Sequence, residues 1–380
     1  MTPWIWLSAI LKEVLQNRFE REFFVAKLFE PLTVRGTKFL NRAWVSPMCQ
    51  YSATDGLVGE WHLVHLGSLI SGRPGLVMVE ATGIVPEGRI TVGCLTIEDS
   101  FHAQRFQQVI KFAHSQNVKI GIQLSHAGRK GSTMRPWDPK KNAEKVDGGW
   151  QTHSASSIPF EGFPVPKELS KEEIRDLISR FAEAAGRAVE VGFDVIEIHA
   201  AHGYLLHQFY SPLTNMRKDE YGGSFEGRIK FLLQTVEAVR SRIGLGVPLF
   251  VRISATDWVT EGWQIKDSIK LCLLLKELGV DLIDVSSGGN FLNAKIPFSP
   301  GYQVQFSNQL RDEVGILTTA VGGITDPHQA ESILTRGEAD AIFLGREFLR
   351  NPRWVLKAAS ELNSDIEWPS QLIRGTYKNI

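Results

Sequence analysis

The chain has 380 residues, 43% of them hydrophobic, enough for one large α/β barrel or two ordinary domains. Its 42 basic residues balance 42 acidic ones, which gives no electrostatic case for nucleic acid or an anionic membrane, and no apolar run approaches the ~20 residues of a membrane span. Cys49, Cys94 and Cys272 are too scattered for a disulfide framework or a cysteine metal cluster, so a reducing cytoplasm is the expected compartment.

Residues 1–26 read as an N-terminal extension. Trp4-Ile5-Trp6-Leu7 is apolar but too short, and lacks the leading basic charge of a secretory signal. Val14, Leu15, Phe19 and Phe23 share a helical face, which predicts a helix docked on the surface or on a neighbour. A cleaved organelle-targeting segment or a mis-assigned start is the alternative. Residues 27–380 read as a single domain in which strands and helices alternate. The strand candidates are Ala43–Ser46, Leu76–Glu80, Ile120–Leu124, Val195–Ile198, Leu249–Ile253, Leu282–Val285, Leu317–Val321 and Ala341–Leu344. Amphipathic helices are expected over His102–Gln116, Lys171–Val191, Gly227–Ile243, Lys266–Leu278, Ser307–Glu313 and Pro327–Thr335. Eight strands in alternation predict an α/β fold, a TIM (β/α)8 barrel. A doubly wound sheet would carry a Gly-rich loop after its first strand, where this chain has Ser46-Pro47-Met48-Cys49. The connection Ser125–Ser170 lacks clear periodicity and predicts a lid or binding loop after the third strand.

Chemistry in such a barrel sits at the C-terminal ends of the strands. The fourth strand ends in His199, His202, Gly203 and Tyr204. Imidazoles can donate to a developing oxyanion, and a phenol can deliver a proton. Glycines after the last two strands, Gly322-Gly323 and Gly345, let backbone N–H groups approach an anion, and Arg346 adds a charge. The plainer reading is that these glycines only make tight turns. Gln123 and Arg252 are expected to point inward at the mouth, where an amide and a guanidinium suit a flavin mononucleotide; a satisfied polar layer is the alternative. His199-x-x-His202 with His126 or Glu197 could in principle hold a metal. Glu197 should face away from the next residue of its strand, so no metal is expected. Cys49 can tune a redox centre, act as a nucleophile, or be a small buried hydrophobe.

These residues resemble those of the Old Yellow Enzyme family of flavin-dependent ene-reductases, closest to its thermophilic-like, xenobiotic-reductase-like branch. The matching stretches are Asn41-Arg42, Ser46 through Tyr51, Val79-Glu80-Ala81, Gln123 through Lys130, His199 through Leu205, Ser211 through Asn215 with Arg217, Asp219, Tyr221 through Ser224 and Arg228, then Gly301-Tyr302-Gln303 and Phe343 through Arg346. The resemblance implies non-covalent FMN, with Ser46, Pro47, Met48, Cys49, Ala81, Gln123 and Arg252 on the ring and Gly322, Gly323, Gly345 and Arg346 on the phosphate. It implies NADPH as reductant, with Lys130 beside it, and an α,β-unsaturated carbonyl or nitro substrate whose oxygen is held by His199 and His202. Hydride would pass from flavin N5 to Cβ, with Tyr204 protonating Cα. Cys49 would modulate the flavin, and Tyr51 would line the substrate pocket. A homodimer or homotetramer is implied, with Arg374 reaching a neighbouring active site, although Leu372 and Thr376 stand where the family's usual aromatic neighbours would be. Two rival classes remain: a cofactor-free phosphate-binding barrel, a lyase or isomerase, and a non-catalytic flavin-binding protein.

Overall fold

The computed structural model describes residues 25–377. The helix expected near the N-terminus lies outside them. Eight parallel strands close into a barrel: β1 Ala43–Val45, β2 Leu76–Gly83, β3 Lys119–Ser125, β4 Val195–Ala200, β5 Leu249–Ser254, β6 Leu282–Ser286, β7 Leu317–Ala320 and β8 Ala341–Leu344. Closure is made by β8 on β1, with Ile342 paired to Ala43 and Leu344 to Val45. The eight expected strands are these eight, with ends shifted by up to three residues. They are readable because helices and barrel interior bury both faces, so most of the runs are rich in apolar residues.

The expected helices form, with one break. His102–Gln116 is two helices, Ser100–Gln104 and Gln107–Ser115. The helix Lys171–Val191 shows local chemistry setting both ends. Ser170 Oγ accepts the Glu173 amide at 3.1 Å while Glu173 Oε2 accepts the Ser170 amide at 2.7 Å. The far end stops at Gly192, φ +108°, a conformation that glycine adopts most readily. The helix Glu60–Ile70 was not expected. Its apolar residues lie on both faces, with Trp61 and Val64 exposed, so no single stripe marks it.

Strand alternation sorts the interior into layers. Trp44, Leu76, Met78, Val195, Phe250, Leu282, Ala341 and Phe343 pack at the N-terminal end. Trp44 stacks on Phe250 at 5.9 Å between ring centroids and lies 4.7 Å from Phe39. Phe39 comes from an antiparallel hairpin, Leu32–Val34 with Thr37–Phe39, which closes that end. Two residues further along the same strands the interior turns polar. Val195 is followed by Glu197 and His199, Phe250 by Arg252 and Ser254, and Leu282 by Asp284 and Ser286.

Candidate active site

The loop after β4 is accounted for amide by amide. Ala201 N donates to His199 Nδ1 at 3.2 Å, His202 N to Ser254 Oγ at 2.9 Å, Gly203 N to His207 Nδ1 at 2.9 Å, and Tyr204 N to Ala201 O at 3.1 Å. His202 and Gly203 are both left-handed, at φ +58° and +72°. Side chains from β4, β5 and the helix Leu205–Tyr210 thus hold a loop that its own backbone preferences would not choose. It brings three rings together: His199 lies 5.1 Å from His202 and 4.9 Å from Tyr204 between centroids, both edge to face.

Protonation follows from the bonds. His199 Nδ1 accepts an N–H, so its proton sits on Nε2. His202 Nε2 lies 2.7 Å from Ser286 Oγ. Where Ser286 donates to it, His202 offers Nδ1–H to the mouth. Burial, then Arg252, drives both imidazoles well below the usual histidine range, so both are neutral at neutral pH. Burial also pushes the Tyr204 phenol well up, so it keeps its proton.

Beneath them lies a buried polar layer. Gln123 Nε2 donates to Glu197 Oε1 at 2.7 Å, and Arg252 Nε pairs with Asp284 Oδ2 at 3.0 Å. Thr319 Oγ1 donates to Asp284 Oδ1 at 2.8 Å. Burial first, then Asp284, raises the Glu197 carboxyl to about 8, which leaves it protonated at neutral pH. So both expectations for Gln123 and Arg252 hold in part: they belong to a polar layer, and they point inward. Gln123 Oε1 and the two terminal nitrogens of Arg252 take no protein partner among the described residues. One acceptor beside two donors matches the N–H and C=O edge of a flavin ring.

The other residues expected to contact a cofactor lie at or near the C-terminal ends of β1, β2, β7 and β8. Ser46 is buried, and Pro47, Met48 and Cys49 are partly exposed beyond β1. A hydrogen bond to the Cys94 thiol and burial push the Cys49 thiol up, so it is a thiol and not a thiolate. Ala81 follows a register irregularity in β2. The displaced Glu80 is buried there, accepts the Gln50 amide at 3.0 Å and faces His62 Nε2 at 3.5 Å. Gly322 and Gly323 are left-handed at φ +104° and +66°. A Cβ on Gly322 would fall 2.5 Å from Gln303 Nε2, and one on Gly323 2.7 Å from Ser299 O. Gly345 opens the short helix Arg346–Arg350. Arg346 is exposed, its guanidinium 5.5 Å from the Phe298 ring, with no acidic partner among the described residues. Left-handed glycines, free amides and an unpaired arginine fit an anionic group.

Three expected substrate-side residues stand differently. Lys130 spends two of its three N–H donors on the protein. Nζ donates to His202 O and Gly289 O, 2.8 Å each, and lies 5.0 Å from the Tyr204 ring centroid. Burial, then Arg129, lowers it to about 7. It ties the loop after β4 to the loop after β6. Tyr51 has φ +53°; its carbonyl accepts from Arg135 Nε at 2.9 Å, and its ring meets Trp137 edge to face. Arg374 is exposed on the 3-10 segment Ser370–Gly375. The 125–170 connection is anchored by Arg129, which bonds the carbonyls of Ile158, Pro159 and Asn290. His126 Nδ1 accepts the Gly128 amide at 3.1 Å. The one group of acids and histidine close enough to share an ion among the described residues is Glu98, Asp99 and His102, which includes neither His199 nor His202. Sequence reasoning missed Asp284 and Ser254, although the two-residue strand period places both on the interior face.

Comparisons with known proteins agree with this geometry. The model of the NADH:flavin oxidoreductase / NADH oxidase family matches residues 27–365. An NADH:flavin oxidoreductase of Gibberella zeae is 45% identical over 375 residues, covering 93% of this chain and 91% of its own length. An NADPH dehydrogenase of Geobacillus thermodenitrificans is 47% identical over 351 residues, covering 92% and 98%. Among solved structures, morphinone reductase superposes with a TM-score of 0.75 at 25% identity, covering 92% of this chain and 93% of that one.

Proposed function

Since the chain belongs to the NADH:flavin oxidoreductase / NADH oxidase family, within the Old Yellow Enzymes, and is an FMN- and nicotinamide-dependent oxidoreductase, we propose that it reduces the activated C=C bond of α,β-unsaturated carbonyl or nitro compounds. The observation that carries this reading is the cluster of three neutral donors, His199, His202 and Tyr204, above an inward amide and guanidinium. Ser46, Pro47, Met48, Cys49, Ala81, Gln123 and Arg252 would hold the FMN ring, and Gly322, Gly323, Gly345 and Arg346 its phosphate. When bound, FMN supplies hydride taken from NADPH.

His199 Nε2–H and His202 Nδ1–H donate to the carbonyl or nitro oxygen of the substrate. Both are neutral, so they stabilise the charge that develops on that oxygen without surrendering a proton. The phenol of Tyr204 then protonates Cα, and its raised range keeps the proton in place until then. Lys130 stabilises the phenolate left behind through its position over the ring, and it holds His202 and Gly289 together. Tyr51 lines the substrate side, and Arg374 serves a neighbouring copy in a homodimer or homotetramer. Residues 27–380 act as one domain.

The test is the oxidative half-reaction. The NADPH-reduced protein is mixed anaerobically with 2-cyclohexen-1-one, for the parent, His199→Ala and His202→Ala. One preorganised donor is worth about 3–4 kcal/mol of barrier, so each variant should be roughly a hundredfold slower or more. Parent rates in both would contradict the oxyanion role.

A further inference from the structure

Behind the loop that carries His202 and Tyr204 lies another imidazole, which the proposed chemistry leaves unused. His207 and Asp257 are both 0% exposed, and His207 Nε2 stands 2.9 Å from Asp257 Oδ1. The other ring nitrogen, Nδ1, accepts the Gly203 amide at 2.9 Å. A nitrogen that accepts an N–H carries no proton, so the proton is on Nε2, the nitrogen in close contact with Asp257 but not aligned for a hydrogen bond to it. Asp257 is held in turn on its second oxygen: Ser211 Oγ donates to Oδ2 at 2.6 Å and Trp263 N at 2.9 Å. Burial opposes the charge on Asp257, but His207 and these donors outweigh it and keep the carboxyl below its ordinary range. The imidazole also stacks on Tyr210 at 4.6 Å and 23°. The Tyr210 hydroxyl is fixed in its turn, donating to Ala200 O at 2.8 Å and accepting from Ser254 N at 3.2 Å.

Every freedom of the His207 ring is therefore used up on one side, and what remains on the other is a single bond to Gly203. That amide joins His202 to Tyr204, in the strained left-handed stretch. A Cβ on Gly203 would fall 2.5 Å from Gly289 O, so the loop has little room to move sideways. We propose that Ser211, Asp257 and His207 form a positioning chain that holds the Gly203 amide and so aims the His202 imidazole and the Tyr204 phenol at the substrate. His207 passes no proton: Nδ1 is occupied by the Gly203 amide, and the ring is wholly buried beside Asp257. Proteins hold a strained loop when surrounding bonds over-determine it, and a small misplacement of a donor is costly in rate. The inference rests on the assignment of His202 and Tyr204 to the substrate.

Two substitutions separate the two ends of the chain. His207→Asn keeps an acceptor oxygen near the place of Nδ1 and loses the contact with Asp257. His207→Gln keeps a donor toward Asp257 and leaves the Gly203 amide without its acceptor. Stopped-flow traces of the FMN-loaded, full-length proteins give both half-reactions, reduction by NADPH and oxidation by 2-cyclohexen-1-one, with Tyr204→Phe as the reference. His207→Gln should lower the saturating oxidative rate about tenfold, equivalent to ~1.4 kcal/mol, with the enone KM and the reductive rate within about twofold of the parent. His207→Asn should recover most of that loss. A parent-like oxidative rate in His207→Gln beside a slow Tyr204→Phe would overturn the positioning chain alone. So would an equal loss in both half-reactions. A parent-like Tyr204→Phe would instead overturn the assignment beneath it. A nitrogen-15 spectrum of the histidines reads the chain without turnover: His207 should show a protonated Nε2 and a bare Nδ1, and the opposite tautomer would also overturn it.

Discussion

The two ends of the barrel are built from the same strands and obey opposite rules. At the N-terminal end, Trp44, Phe250, Phe343 and the hairpin residue Phe39 close the interior with aromatic rings that are wholly buried. At the C-terminal end the same faces carry Glu197, His199, Arg252, Ser254, Asp284 and Ser286, linked by hydrogen bonds and an ion pair. Along β5 the change from Phe250 to Arg252 takes two residues. A strand's period of two lets one face of one element carry packing at one end and chemistry at the other. Substitutions at the two ends should accordingly fail in different ways.

The sharpest contrast is expected at Tyr204. Tyr204→Phe removes one hydroxyl and little packing, so thermal stability should hardly move. Turnover with 2-cyclohexen-1-one should fall by about 10²–10⁴, the usual contribution of a positioned acid. Unchanged turnover would reassign the donor. Trp44→Ala should do the reverse. Emptying a wholly buried indole site costs ~3–5 kcal/mol of stability, visible as an earlier urea midpoint, while turnover per FMN-loaded molecule stays close to the parent. A variant with normal stability and lost turnover would mean that the closed end takes part in the chemistry.

The smallest effect lies at the border between the two regions. The Glu197 carboxyl is raised from 4.5 to about 8 by burial and Asp284. A folded-state value above the unfolded one means that Glu197 favours the fold most below pH 4.5, and that this advantage is lost as pH rises toward 8. Thermal unfolding of the parent and Glu197→Gln between these limits should show a steeper decline in the parent. Parallel profiles would mean that Glu197 is already ionised at the lower limit.

The same comparison explains what could be read from the residues alone. The strands were visible because burial on both faces makes their outward positions and their N-terminal halves mostly apolar. His199, His202 and Tyr204 were visible because polar rings crowd the end of such a strand. Gln123 and Arg252 were recognised, but their partners Glu197 and Asp284 were not, since those partnerships depend on which strands lie side by side. The partners of Lys130 were missed for a related reason. Its two acceptors, His202 O and Gly289 O, belong to loops remote in the chain, and only barrel closure brings them to its amine. The helix Glu60–Ile70 escaped because Trp61 and Val64 break its pattern from the solvent side.

The most direct test of the account is an anaerobic absorbance series on the purified protein. Visible flavin absorbance should bleach when NADPH is added and return when 2-cyclohexen-1-one follows. A protein that bleaches but regains its colour only with oxygen would contradict the proposed substrate class. A colourless protein that FMN cannot reconstitute would contradict the reading of the mouth itself.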